Sequence, residues 1–348
     1  MKNLLIITQK VDEDDQLLGF FIEWLKRFAG KFGNVTVLCL EKGKFDLPKN
    51  VEVISLGKDR GAGKLKQLST FYFQLFTLKY DAVFVHMNPI WAILGGPYWR
   101  LAGKKVCLWY THKAITSKLK LAEKFVDVIF TASKESFRLP SKKVIVTGHG
   151  IDTSLFRPSE KLKVESGKLK ILSVGRIAPV KNYGTLIDAS KILKDKGTSF
   201  LVTMVGEIAL NSDASYLASL KFKVKSLKLE ENFKFVGKIN HKELPSYYRS
   251  HDIFVHLSKT GSIDKTLLEA MACGMKVLSS NDSARSFLNQ TLCFKEDDSH
   301  DLAGKIIEVS KIPPDPALRD YVIKNHDLDK LIERLSATIK NRISQASI

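Results

Sequence analysis

Short, nearly continuous apolar runs alternate with longer stretches of helical spacing along most of this chain. In the first half the runs lie at 4–8, 35–40, 51–56, 82–87, 106–110, 128–132 and 144–147. Helical spacing lies between several of them, near 17–31, 65–78 and 90–102. Strands that are apolar throughout, separated by helices, predict a mostly parallel sheet with both faces covered.

The rhythm breaks at 153–167, where Pro158 and charged residues replace the periodicity, and the segment reads as a linker. The alternation then restarts. Strands are expected at 169–174, 200–205, 233–236, 253–257 and 277–280, and helices near 183–195, 216–227, 244–248 and 265–272. Beyond Pro313-Pro314-Asp315-Pro316, the residues Leu328, Leu331, Ile332, Leu335 and Ile339 follow helical spacing. The pattern therefore predicts an α/β protein of two doubly wound domains, 1–155 and 165–318. A helical segment, 319–348, is expected to pack across both.

Two local sequences carry chemistry. The run Ile171-Leu172-Ser173-Val174 ends in Gly175-Arg176, and Lys181 follows, so a strand end delivers two cations to one loop. Downstream, Thr260-Gly261-Ser262 precedes a small-residue helix, Leu267-Leu268-Glu269-Ala270-Met271-Ala272-Cys273-Gly274. Fixed cations and a helix N-terminus both supply positive potential and donors for a diphosphate, while a carboxylate suits ribose hydroxyls. Ligands of open α/β sheets sit beyond the carboxyl ends of the strands. Gly175, Gly206, Gly237 and Ser258 each follow a strand and are expected to line one rim. Read blandly, Arg176 and Lys181 are surface cations and Glu269 a surface carboxylate. The apolar neighbours of Glu269 favour a paired or ligand-binding role, because an unpaired buried carboxylate is costly.

Val174-Gly175-Arg176-Ile177 with Lys181, Val205-Gly206, Phe235-Val236-Gly237, Asp252-Ile253-Phe254-Val255 and Leu268-Glu269-Ala270-Met271-Ala272-Cys273-Gly274 stand in one order. That order and its spacing resemble the family-4 glycosyltransferases over 169–280. The first half resembles the family more thinly, through its opening strand, His112 and the turn Gly148-His149-Gly150-Ile151-Asp152. The resemblance implies the GT-B fold: two Rossmann-like domains facing across a cleft, with a C-terminal helix docking back. It implies a retaining, metal-independent transfer from a nucleotide-diphosphate sugar of UDP or GDP type, with no cofactor besides. Arg176 and Lys181 would grip the diphosphate, and Glu269 would hold the ribose. The amides of Lys265, Thr266 and Leu267 would cap a phosphate. Main chain near Gly237 and Lys238 would meet the base, and His112 would lie near the sugar. In two respects the chain departs from the pattern: the glycine-rich phosphate loop of the first domain is thin, with only Gly19 after Asp14-Asp15-Gln16-Leu17-Leu18, and one carboxylate is missing. A second glutamate, eight positions before Glu269, is replaced by Gly261, and Asp264 is the expected substitute for its sugar contact.

The net charge of +18 (55 Lys+Arg against 37 Asp+Glu) is spread over both halves and favours anionic partners, although lysine-rich faces also serve solubility. Lys64, Lys66 and Lys79 flank the apolar stretch Leu65, Leu68, Phe71, Tyr72, Leu75 and Phe76, which reads as a core-facing helix or as a contact with an anionic membrane. Lys113, Lys118, Lys120 and Lys124 would add a basic rim beyond His112. No apolar stretch reaches the roughly 18–20 residues of a membrane span, and the charged residues after the first strand argue against a signal peptide. A cytoplasmic protein is expected, peripheral at the inner face of the membrane if its acceptor is lipid-linked. Cys39, Cys107, Cys273 and Cys293 form no C-x-x-C pair, so no disulfide framework or zinc site is expected. No nucleic-acid recognition motif accompanies the charge. A G-x-G-x-x-G fingerprint is absent, which argues against a dehydrogenase. The reading from another class is a non-catalytic GT-B relic that binds nucleotide or membrane.

Overall fold

The computed structural model describes residues 2–159, 167–208 and 211–344. Much of the expected linker, 160–166, lies outside them, as do Met1 of the opening strand and 345–348 of the terminal segment. Contacts divide the chain into two units, Met1–Gly150 with His326–Ile348, and Ile151–Asn325.

Unit 1 is a parallel sheet of β1 (Leu4–Val11), β2 (Val35–Lys42), β3 (Val51–Ser55), β4 (Ala82–His86), β5 (Lys105–Trp109), β6 (Val128–Thr131) and β7 (Val144–Val146). Their order is β3-β2-β1-β4-β5-β6-β7. The period of two along β1 decides which helices cover which face. Leu4 and Ile6 join α1 (Phe21–Ala29), through Trp24 and Phe28, on one side. Leu5 and Ile7 join α2 (Lys64–Thr77), α3 (Pro89–Leu101) and α4 (Ser117–Glu123) on the other.

Unit 2 orders five parallel strands as β10-β9-β8-β11-β12. These are β8 (Leu169–Val174), β9 (Phe200–Val205), β10 (Phe233–Gly237), β11 (Ile253–His256) and β12 (Lys276–Ser279). Its helices are α5 (Tyr183–Asp195), α6 (Ala214–Ser226), α7 (Leu244–Ser250), α8 (Lys265–Ala272), α9 (Ser299–Ser310) and α10 (Pro316–Asn325).

The terminal segment is two helices with different allegiances. α10 buries Leu318 and Val322 in the core of unit 2. After His326 and Asp327, whose carboxylate accepts from the Lys330 amide at 3.0 Å, α11 (Leu328–Ser344) begins. Its stripe Leu328, Leu331, Ile332, Leu335 and Ile339 packs into unit 1 beside Trp24 and Phe28. Arg27 donates to Asp329 at 2.6 Å, and Lys31 pairs with Glu333. A β-carbon on Gly150, which has φ +70°, would meet Leu331 at 2.4 Å, so only glycine lets the chain pass beneath α11.

Candidate functional site

The site in unit 2 starts where β8 leaves the sheet. Ser173 donates to the Val255 carbonyl at 2.8 Å and fixes the end of β8 against β11. At Gly175 a β-carbon would stand 3.0 Å from the Tyr183 hydroxyl and 3.6 Å from Lys181 Cε. The glycine thus leaves room for the lysine stem to run back across the strand end. A 3₁₀ turn, Pro179–Lys181, follows, tied down by the Lys259 amide donating to the Val180 carbonyl at 3.0 Å. Arg176 is half-buried near the Tyr183 ring and makes no hydrogen bond or ion pair with another of the described residues. Lys181, by contrast, is engaged: its ammonium pairs with Asp264 and lies 3.3 Å from Ser258 Oγ.

Asp264 is the N-cap residue of α8, yet its side chain does not cap that helix. The carboxylate accepts from Lys181 and from His256 Nε2 at 3.0 Å, and His256 Nδ1 lies 3.0 Å from Ser279 Oγ. Burial alone would raise its pKa. The Lys181 charge and the His256 hydrogen bond outweigh burial and hold the carboxyl far below the usual range. The preceding loop is pinned from behind. Asn281 donates to the carbonyls of Ser258 at 3.1 Å and Ser262 at 3.2 Å, and Ser283 donates to the Gly261 carbonyl at 3.0 Å. Gly261 itself has φ +65°, a conformation that residues with a β-carbon rarely adopt. The glycine that replaces the expected glutamate is therefore matched to the path of this loop.

Glu269 faces a different set of partners. It is 3% exposed, and accepts from the Tyr248 hydroxyl at 2.9 Å and His241 Nε2 at 3.1 Å. Phe156 packs edge-on against both rings, at 5.1 Å from His241 and 5.9 Å from Tyr248. Burial, then the neighbouring Glu269 charge, pushes the Tyr248 phenol well above its ordinary value, so it stays a donor. One turn earlier, burial draws the Lys265 pKa down to about 7 against the opposing pull of Glu269. The Leu267 amide already donates to the Asp264 carbonyl at 3.2 Å, as a first bond of the helix. Thr266 Oγ1 is buried without a hydrogen-bond partner among the described residues.

Gly206 and Gly237 join at the same strand ends, where the Gly206 amide donates to the Gly237 carbonyl at 2.8 Å, and Lys238 beyond them is exposed. His112 belongs to unit 1, on the loop after β5. Its exposed ring accepts at Nδ1 from the Ala114 amide at 3.1 Å, which leaves the proton of the neutral ring on Nε2. Unit 2 thus brings Gly175, Lys181 and Asp264 together, and it turns Glu269 toward His241 and Tyr248 instead. His256, Ser279, Tyr248 and His241 were not foreseen from the sequence. The one available signal was a histidine closing an otherwise apolar strand, Ile253–His256.

A sequence model of the family described as glycosyl transferases group 1 matches residues 157–342, more than half of the chain. The chain belongs to that family. Among curated members it is similar to the amylovoran biosynthesis glycosyltransferase AmsK of Erwinia amylovora, 35% identical over 153 residues, 41% of this chain and 35% of the relative. It is also similar to the alpha-monoglucosyldiacylglycerol synthase of Streptococcus pneumoniae, 28% identical over 213 residues, 56% of this chain and 44% of the relative. The chain spans less than half the length of these two group 1 relatives. Among solved structures, Anabaena HepE in complex with UDP superposes with a TM-score of 0.76 at 18% identity, covering 98% of this chain and 100% of that one. At that identity the likeness speaks for the fold, which is GT-B.

Proposed function

We propose that this group 1 member is a retaining glycosyltransferase of the family-4 type. It moves a sugar from a UDP- or GDP-sugar to a glycan or lipid-linked acceptor, in making cell-surface polysaccharide or glycolipid. The observation that carries the reading is the meeting of two distant sequence motifs: Lys181, from the turn that bears Arg176, pairs with the residue that opens α8. A cationic turn beside a helix mouth is the arrangement a diphosphate requires. The names of the relatives support the product class, and the UDP held by HepE supports the donor class.

In this reading the diphosphate oxygens replace Asp264 as the partner of Lys181, with Arg176 alongside. The two cations stabilise the charge that builds on the departing diphosphate, so neutralisation rests on side chains and asks for no metal or further cofactor. Asp264, kept ionised and oriented by His256, accepts from a hydroxyl of the donor sugar. Glu269 offers its remaining lone pairs to the ribose, and backbone near Gly206, Gly237 and Lys238 receives the base. The amides of Lys265 and Thr266 face phosphate at the opening of α8. For His112 the support is the family resemblance and a ring Nε2–H able to donate to a sugar hydroxyl. The enzyme works in the cytoplasm, at an anionic leaflet when its acceptor is a lipid; no helix among the described residues is long and apolar enough to cross a membrane.

Gly261 favours one competing reading, a relic that binds nucleotide without turnover. A panel of UDP-, GDP- and ADP-sugars tests both. Stabilisation by one donor class, growing with the logarithm of ligand concentration, together with slow release of free sugar, supports the transferase. Stabilisation without any release supports the relic, and no stabilisation by any donor overturns both.

A further inference from the structure

The outer surface of α2, α3 and α4 in unit 1 has a composition that its role in covering the sheet does not call for. α2 buries Phe71 and Leu75, yet Leu65, Phe73 and Phe76 on its opposite stripe are 85%, 63% and 60% exposed. α3 buries Trp91, Ala92 and Trp99 and packs the half-buried Ile90, Ile93 and Leu94 against the same core, while Pro97 is exposed and Leu101 is 90% exposed. An amphipathic helix covering a sheet carries polar residues on its outer side; on α3 the one polar side chain among the exposed residues is Arg100, between Pro97 and Leu101. The helices lie side by side. Phe71 meets Trp91 at 4.8 Å, Phe76 meets Tyr98 at 4.8 Å, and Arg100 donates to the Lys124 carbonyl at 3.1 Å.

Charge tells which partner suits this surface. From Lys64 to Lys124 every exposed ionised side chain is a cation, among them Lys64, Lys66, Arg100, Lys118, Lys120 and Lys124. The two acids of that stretch, Asp81 and Glu123, are half-buried and occupied: Asp81 accepts from the Asn3 amide, and Glu123 from Ser141. A second copy of the same surface would meet it with like charge. A nucleic-acid backbone would satisfy the lysines but leave Leu65, Phe73, Phe76 and Leu101 in water. An anionic lipid surface takes both, with headgroups at the cations and acyl chains at the apolar side chains.

We propose that the α2–α4 surface is the part of this protein that docks on an anionic bilayer. The inference deepens the membrane element of the proposed function and rests on that reading only there. Its test reads lipid binding with no nucleotide sugar present, so either reading can fail without the other.

The experiment is co-sedimentation of the full chain with vesicles of phosphatidylglycerol mixed into phosphatidylcholine, and with phosphatidylcholine alone. Binding to the first and not to the second is expected. Two variants separate the contributions, L65S/F73S/F76S and K64E/K66E/K118E/K120E. All these side chains are exposed, so each variant should keep the melting temperature of the parent, measured alongside. Each is expected to lower partitioning at least about tenfold. Absence of binding to the anionic vesicles overturns the proposal, as does unchanged binding by the serine variant. So does a dimer in sedimentation velocity that the serine variant abolishes. Tight binding to single-stranded DNA that the lysine variant loses, with no vesicle binding, would reassign the surface to nucleic acid.

Discussion

Two carboxylates five positions apart, one at the N-cap of α8 and one inside it, have been given opposite surroundings. Asp264, at the mouth of the helix, is held by a lysine and a histidine, and the lysine closes a loop whose Arg176 makes no hydrogen bond or ion pair with another of the described residues. Glu269, inside the helix, is held by a phenol and an imidazole and sealed by Phe156. The first is a charge pair whose cation can exchange one anion for another. The second is a cage of ring donors that fixes the carboxylate's orientation and leaves its remaining lone pairs for the ribose of the proposed function. The contrast teaches that a buried anion can either yield its partner to a ligand or be held still by its partners. The nature of its donors tells which.

The largest effect expected from breaking this contrast is at the charge pair. Lys181→Ala should lower transfer about 100- to 1000-fold, as loss of one preorganised donor to a developing charge does; steady-state rates with the best donor would show it. A change below about threefold would remove Lys181 from the chemistry.

Next in size is the pH response of Lys265. Its folded pKa of about 7 lies below the unfolded value of 10.5. Between those two values the unfolded chain binds more protons, so stability should rise as pH goes from about 7 toward 10. Below about 7 the full cost of the buried charge is present. Lys265→Met should remove that cost, raising stability at pH 6 by about 2–4 kcal/mol and giving little gain at pH 10. Chemical denaturation at the two pH values measures it, and an equal effect at both would refute the assignment.

The cage should respond in stability. Tyr248→Phe leaves a buried carboxylate one donor short, and a loss of about 1–3 kcal/mol is expected by denaturation. Smallest is Gly261→Ala, where a β-carbon at φ +65° should cost about 1 kcal/mol without changing which nucleotide binds.

The central strands, such as β4 and β11, were legible because both of their faces are buried and their apolar runs are nearly unbroken, whereas edge strands such as β7 are only partly covered. Helices were less legible. The helix expected from residue 17 begins at Phe21, because Asp15 takes the amides of Leu17 and Leu18 into a turn and binds Lys10 at 2.9 Å. α4 escaped notice because only Leu119 and Ala122 of its seven residues are buried, which leaves little periodicity to read. α9 carries Leu302, Ala303, Ile306 and Val309 in helical register behind an Asp298 cap, a pattern present in the sequence. Within the site, cations and carboxylates stood out by their spacing along the chain. The partners that define what each carboxylate does come from β11, β12 and α7, and no spacing encodes a hydrogen bond between separate strands and helices.

The central claim is that Arg176 and Lys181 hold a nucleotide diphosphate at the mouth of α8. Calorimetric titration of UDP and GDP into the parent protein and into Arg176→Ala/Lys181→Ala tests it most directly. One nucleotide should bind the parent, and the double variant should lose at least about 100-fold in affinity, two charge-assisted contacts at about 1.5–3 kcal/mol each. Equal affinity in parent and double variant would contradict the account.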